Sequence, residues 1–214
     1  ADREFAEGKN QNKLRPEDIE KIDTVFTLKQ ELPKYSRLVD KTEIIDKHDY
    51  NLNIRRYVDN TPEPEPEDVQ AHLIGGIPED EVKARHEDFA RFGLAAETLF
   101  QAERPKYLAF KEAVQVKGDI KNIIEVDSAV VQTLATHAQA LEDWWQVAQN
   151  DFARLERANN GNSNGKKMPD VRLELLTTLK DKIVPLSVLD EFKSAGVFVN
   201  WWQQIRYDLK TIVS

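Results

Sequence analysis

Residues 127–158, DSAVVQTLATHAQALEDWWQVAQNDFARLERA, contain neither glycine nor proline. Val130, Leu134, His137, Leu141, Trp144, Ala148, Phe152 and Leu155 recur mostly at steps of three and four. That spacing lines side chains along one face of an α-helix. At about 1.5 Å per residue the helix would run roughly 48 Å, more than a compact domain of this size needs. The expectation is a helix that reaches beyond its own core or lies along a partner helix.

The reading extends outward from this rod in both directions. On its C-terminal side, Asn159–Pro169 is a polar, glycine-bearing loop, followed by helices over 170–184 and 186–212, the second interrupted near Ala195-Gly196. On its N-terminal side, Tyr107, Leu108, Phe110, Ala113 and Val114 keep helical spacing after a break at Pro105, with another helical piece over 94–102. Pro78-Glu79-Asp80-Glu81 opens a helix carrying Val82, Phe89 and Phe92 to Gly93, and residues 69–74 form a short helix stopped by Gly75-Gly76. Before it, the alternate prolines of residues 61–68, TPEPEPED, forbid both helix and ladder pairing and favour an extended spacer.

Residues 1–60 have a different texture. Pro16 at a first helical position, backed by Glu17 and Asp18, opens an amphipathic helix that uses Ile19, Ile22, Val25 and Phe26 and ends before Pro33. Residues 35–39 (YSRLV) and 49–58 (DYNLNIRRYV) read as strands around one or two helical turns at 40–47. Two strands are too few for a stable sheet, so this part reads as a small α/β remnant. The fold class is therefore mainly α: a C-terminal helical bundle with a long helix over 69–214, a Pro/Glu linker over 61–68, and the α/β remnant over 1–60.

The formal net charge of −8 and the sequence pI near 5.2 argue against an autonomous binder of duplex nucleic acid, because Lys and Arg at phosphates supply most non-specific affinity. DNA contact must be local or shared with a partner. The chain has no cysteine, so disulfides and thiolate metal sites are excluded. No apolar run reaches membrane-spanning length and the charged N-terminus is unlike a signal peptide, so a cytoplasmic protein without a membrane partner is expected.

The catalytic inventory is thin. The four histidines, His48, His72, His86 and His137, stand in no ligand spacing, and His137 reads as a partnered seam residue. Residues 161–167, GNSNGKK, are one residue short of a phosphate loop and lack its Ser or Thr. No metal ligand or catalytic residue is assigned. Residues 8–15, GKNQNKLR, concentrate cations and amides in a loop before a helix start, which makes Lys9, Asn10, Asn12 and Lys13 the candidate DNA contacts. The paired tryptophans Trp144-Trp145 and Trp201-Trp202 are candidate subunit-interface anchors, since neighbours on a helix diverge by about 100° and one of each pair can face away from the core. Gly196 either lets two helices approach closely or marks a break.

Residues 1–5 (ADREF) through 8–12 (GKNQN), then 18–22 (DIEKI), 35–39 (YSRLV), Glu43-Ile44 and 49–54 (DYNLNI) with 56–58 (RYV), resemble the last part of the methyltransferase domain of type I restriction-modification modification subunits. Gly75-Gly76-Ile77-Pro78 after the acidic linker, and the ending with Trp-Trp and Tyr207-Asp208-Leu209-Lys210, are similar to the C-terminal helical region of the same subunits. The resemblance implies a DNA adenine-N6 methyltransferase that uses S-adenosylmethionine, works with a DNA-reading specificity subunit, and can be joined by a restriction subunit. The family's Asp-Pro-x-x-Gly-x-Gly and Asn-Pro-Pro-Phe motifs have no match, as the chain holds no Asp-Pro, Asn-Pro or Pro-Pro pair. The expectation is thus a C-terminal portion, inactive by itself and with no cofactor site, that serves assembly; residues 48–59 would be the closing strand region of the sheet, with Leu52, Ile54 and Tyr57 packed. The rival readings are a self-sufficient S-adenosylmethionine-dependent DNA methyltransferase and an unrelated acidic helical scaffold.

Overall fold

The computed structural model describes residues 4–61, 68–159 and 167–213. Residues 1–3, most of the Pro/Glu spacer (62–67) and the glycine-bearing loop 160–166 lie outside the described residues, as does the side chain of Leu155. The fold is mainly helical with one small three-stranded sheet and a long helix in the C-terminal half. Among the described residues no helix is long and apolar enough to cross a membrane. Backbone proximity divides the chain into two compact units, residues 1–65 with 190–214, and residues 66–189. The last helix, adjacent in sequence to the helical region, therefore belongs to the same unit as the N-terminus.

In the first unit, α1 (Pro16–Leu28) starts where the sequence places it. The carboxylate of Asp18 accepts the Arg15 backbone N–H at 2.8 Å and is gripped by the Arg15 guanidinium at 2.9 Å. The Asp18 carboxylate thereby satisfies a donor that the first turn leaves orphaned. The helix ends at Lys29, whose left-handed backbone turns the chain. α8 (Glu191–Val213) packs on α1 and runs unbroken through Gly196. The expected interruption at Ala195-Gly196 is absent, and the alternative role of the glycine holds: an added Cβ there would lie 2.9 Å from the Glu17 Cβ and 3.2 Å from the Glu17 backbone nitrogen. Val25, Ala195, Phe198 and Trp202 are buried in this unit, with the Phe198 and Trp202 rings stacked at 5.9 Å.

The two strands expected in residues 1–60 do not form. Residues 35–39 contribute only the isolated bridge Leu32↔Ser36, while 40–47 do become helical, as a short π-helical turn over Glu43–Lys47. Residues 49–58 form a closed loop with a 3₁₀ turn, Ile54–Arg56, instead of a strand. The cause is local. Asn51 Oδ1 accepts the Asn53 N–H at 2.9 Å, Asn53 Oδ1 accepts the Arg55 N–H at 3.2 Å, and the Tyr57 hydroxyl donates to the Asn51 carbonyl. Such side-chain bonds offer the backbone an alternative to a ladder, and no neighbouring strand competes among the described residues. Leu52 and Ile54, expected to pack, are instead 72% and 74% exposed.

In the second unit, α2 (Val69–Ile74) is capped by Asp68, which accepts the Ala71 N–H at 2.9 Å, and stops at Gly75-Gly76. The chain then enters β1 (Ile77–Pro78) and two short helices, α3 (Glu79–Ala84) and α4 (His86–Arg91), broken at Arg85 where one helix was expected. Of the helical pieces expected over 94–102 and 107–114 only a 3₁₀ turn, Ala96–Thr98, forms; the rest gives a hairpin, β2 (Phe100–Arg104) and β3 (Tyr107–Phe110), with β3 central in the order β1-β3-β2. Pro105 followed by left-handed Lys106 (φ 69°) makes the two-residue turn, and the Phe100 and Phe110 rings meet across it at 5.0 Å. The Tyr107 hydroxyl donates to Asp68 at 2.8 Å, tying the hairpin to the cap of α2.

α5 (Lys117–Val126) leads into the rod α6 (Ser128–Asn159), capped by Asp127, which accepts the Ala129 N–H at 2.9 Å. α6 packs against α7 (Met168–Ile183) around Trp144, Ala148, Val171, Leu175 and Leu179, all buried. The Trp144 Nε1–H donates to the Leu175 carbonyl at 3.1 Å and to the Thr178 hydroxyl at 3.2 Å.

Candidate functional site

The faces of α6 divide differently from the single seam read from sequence. The sheltered face runs through Val130, Thr133, His137, Ala140, Trp144, Ala148 and Asp151. His137 is on it, but its Nε2 has no hydrogen-bond partner, against the expectation of a partnered residue. Leu134 and Leu141, expected on the same seam, are each 50% exposed. They belong to a second stripe, Val131, Leu134, Ala138, Leu141 and Trp145, exposed along its length and stepping by three, four, three and four. This alternation is the signature of a seam that receives another helix. Leu134 also lines an apolar groove of about 520 Å³ with Phe89, Phe92, Leu94, Ile124 and Val130. Groove and stripe thus share a residue and form one continuous apolar surface within the second unit.

The four tryptophans separate cleanly. Trp144 and Trp202 are 5% and 6% exposed and belong to the core, so as interface anchors these two are corrected. Trp145 is 36% exposed on the α6 stripe, its ring 6.2 Å from that of Phe152. Trp201 is half-buried, with its ring 5.6 Å from Phe198. The residue that turns outward in the first pair could not be told from the sequence, because the core direction depends on where α7 sits.

The candidate DNA contacts Lys9, Asn10, Asn12 and Lys13 are all exposed on one loop. Its base is pinched by a two-residue bridge: the Ala6 N–H donates to the Lys13 carbonyl at 2.8 Å and the Lys13 N–H to the Ala6 carbonyl at 2.9 Å. Gly8 is required by this pinch, since a Cβ there would run into the Gln11 carbonyl oxygen. Sequence reasoning missed the neighbouring cleft of about 760 Å³, whose walls bring Lys21, Lys34, Tyr35, Asn53 and Arg55 together with Glu4. Lys21 reaches Glu4 at 2.6 Å and lies 4.1 Å from the centre of the Tyr35 ring. Burial and the nearby Glu4 and Asp18 carboxylates raise the Tyr35 hydroxyl above its ordinary pKa, burial being the larger cause. No charge pattern along the sequence joins residues 4, 21, 34 and 55; only the return of the 48–59 loop does. Among the described residues no cluster of three or more histidines and carboxylates could hold a metal ion.

Residues 1–66 match the family model of the N-6 DNA methylases, so the pinched loop and the lining residues of the cleft, Glu4 to Asn60, fall inside the matched stretch. No curated protein and no solved structure matches the chain. The antiparallel sheet of β1, β2 and β3 lies outside the matched stretch.

Proposed function

We propose that this chain supplies the non-catalytic, assembly-forming part of the modification subunit of a type I restriction-modification DNA adenine-N6 methyltransferase, acting in the cytoplasm. The observation that carries the reading is the pairing of an N-6 DNA methylase match over residues 1–66 with an exposed helix-receiving stripe on α6. Methyl transfer from S-adenosylmethionine belongs to residues other than those described. The stripe receives a helix of the specificity subunit, with Leu134, Leu141 and Trp145 as its apolar anchors; aromatic residues in such a place carry a disproportionate share of binding energy. The restriction subunit joins the complex so formed, and DNA is held by the assembly as a whole.

Capture of the purified specificity subunit by this chain tests the reading. Trp145→Ala should weaken capture by about 2 kcal/mol, roughly thirtyfold, and Leu134→Asp with Leu141→Asp should abolish it while leaving the helical circular dichroism intact. Undiminished capture by the folded double variant would remove the stripe from the interface. An isothermal titration with S-adenosylmethionine should give no heat; saturable heat would favour a self-sufficient methyltransferase.

A further inference from the structure

The exposed stripe of α6 reads nearly the same in both directions. Ala138 is its middle; Leu134 and Leu141 stand four and three residues to either side, and Val131 and Trp145 stand seven residues out on each. Laid antiparallel on a second copy about Ala138, the stripe sets Leu134 against Leu141 twice over, and Ala138 against Ala138, where small side chains let the helices close. The outermost pairs join unequal residues: Trp145 of one copy comes level with Val131 of the other. Val131 adjoins Val130 and Leu134, two walls of the apolar groove of about 520 Å³. Each copy thus brings a large, partly exposed ring to a place where the other's stripe opens into a hollow.

Charge does not oppose this pairing. The chain holds 30 Lys and Arg, yet none stands between Lys121 and Arg154, so like cations do not meet along α6. Glu142 is the carboxylate on the flank of the stripe, where its Oε1 accepts the Gln146 amide at 2.8 Å. Each Glu142 is four residues from the centre, so the two of a pair stand eight apart along the axis, about 12 Å, beyond the screening length of about 8 Å at physiological salt. Asp143 lies about 200° around the helix from Trp145. At the rim of the groove Asp88 has Arg85 and Glu125 has Lys121, each at 3.6 Å. Gln146 and Gln149 share the flank of Glu142, so a second copy meets this surface with a face as weakly charged as the one it covers.

We propose that α6 is a self-pairing surface: two copies of the chain associate antiparallel through Val131, Leu134, Ala138, Leu141 and Trp145, each Trp145 ring seated in the groove of the other copy. The arrangement is twofold, so association closes at a dimer. The contact is short beside the roughly 1,200–2,000 Å² that a stable interface buries, which sets the dissociation constant in the micromolar range or weaker. Self-pairing goes beyond the assembly reading and rests on no part of it. On that reading the same stripe is taken by a second copy when the chain is alone and given up to the specificity subunit's helix in the complex.

The test is sedimentation equilibrium of the full chain between roughly 1 and 200 μM, where so weak a pair becomes populated. Twice the chain's 24.6 kDa is the expected upper limit of mass; growth past it overturns the twofold pairing. Trp145→Ala should weaken association about tenfold or more, and Leu134→Asp with Leu141→Asp should leave a monomer with unchanged helical circular dichroism. Since the chain has no cysteine, a single introduced thiol reports the arrangement even for a weak pair. Ala138→Cys should cross-link under mild oxidation, because facing Cα atoms of helices packed about 8–10 Å apart fall within the roughly 7 Å that a disulfide spans. Gln149→Cys, also exposed but eleven residues from the centre and so about 33 Å from its counterpart, should cross-link no faster than a free thiol in solution. Equal cross-linking at both positions, a monomer over the whole range with no Ala138→Cys dimer, or association that Trp145→Ala leaves unchanged each overturns the proposal. Capture of the specificity subunit, measured on the same preparation, keeps the two readings apart: capture by a chain that stays monomeric removes self-pairing alone, and a dimer that captures nothing removes the assembly reading alone.

Discussion

Two helix crossings hold this protein together, and they are built in opposite ways. In the second unit, α6 and α7 meet around the largest side chain available, Trp144, whose ring fills the gap and whose indole N–H bonds to Leu175 and Thr178 on the other helix. In the first unit, α1 and α8 meet where a side chain is missing, at Gly196, with the backbone and Cβ of Glu17 filling the space a methyl group would need. Both joints remove apolar side chains from water, Trp144 in one and Val25, Phe198 and Trp202 in the other, but only the first unit adds a close approach of backbones at a glycine. The lesson is that the two joints should respond oppositely to a change of volume.

The largest effect is expected from emptying the filled joint. Trp144→Ala should cost about 3–5 kcal/mol of stability, read as a fall in the urea midpoint. A loss below about 1 kcal/mol would mean that the ring is not what holds α6 to α7. Filling the empty joint comes next: Gly196→Val should cost about 1–3 kcal/mol through overpacking. Its control is Gly118→Ala in α5, where nothing lies within 4 Å of the added carbon and a gain of up to about 1 kcal/mol is expected from helix propensity. Stabilisation by both substitutions would show that the first crossing has slack.

The smallest effect separates the joints by pH. Hydrogen bonding from the Arg15 side chain, more than any other cause, holds the Asp18 carboxyl below the ordinary carboxylate value of 3.8. Asp18 is 3% exposed and caps α1 one residue from the Glu17–Gly196 contact. Since the folded state binds this proton less readily than the unfolded chain, the contribution is fully present above about pH 4 and is lost as pH falls through the lowered value. Asp18→Asn should lower stability at pH 5 by about 1 kcal/mol, in the range of a lost helix cap, and shrink the drop in urea midpoint between pH 5 and pH 2.5. An unchanged acid limb in the variant would assign it to other carboxylates, such as Asp68, whose pKa is lowered by the Ala71 backbone N–H and then the Tyr107 hydroxyl.

How much of this was legible varies with the range of the forces involved. The rod over 128–159 was plain, because the lack of glycine and proline and an apolar repeat act within a few residues. The hairpin over 100–110 was not. Pro105 reads equally as a helix breaker and as the first residue of a turn, and Tyr107-Leu108-Ala109-Phe110 satisfies either period. The signal that could have found it is an aromatic on each side of Pro105-Lys106, Phe100 and Phe110, which pair across the hairpin once a bulge between Ala102 and Arg104 takes up one residue. At 49–58 the alternation of apolar residues suggested a strand, while Asn51 and Asn53, two residues apart, carried the competing signal for successive turns. The candidate site divides likewise. Lys9, Asn10, Asn12 and Lys13 were visible as a cluster because they are neighbours in the chain; Lys21, Lys34 and Arg55 were not, because folding alone brings them together.

The amino-acid sequence by itself determined the long rod and the start of α1, the acidic balance of the chain, and the presence of two tryptophan pairs, since propensity, charge and periodicity are written residue by residue. Tertiary structure alone decided which tryptophan of each pair is buried, that Leu134 and Leu141 remain exposed, and that Glu4, Lys21, Lys34 and Arg55 share one cleft. The physical reason is that burial and electrostatic neighbourhood are properties of pairs of segments, and a helix has no inside until another element is laid against it.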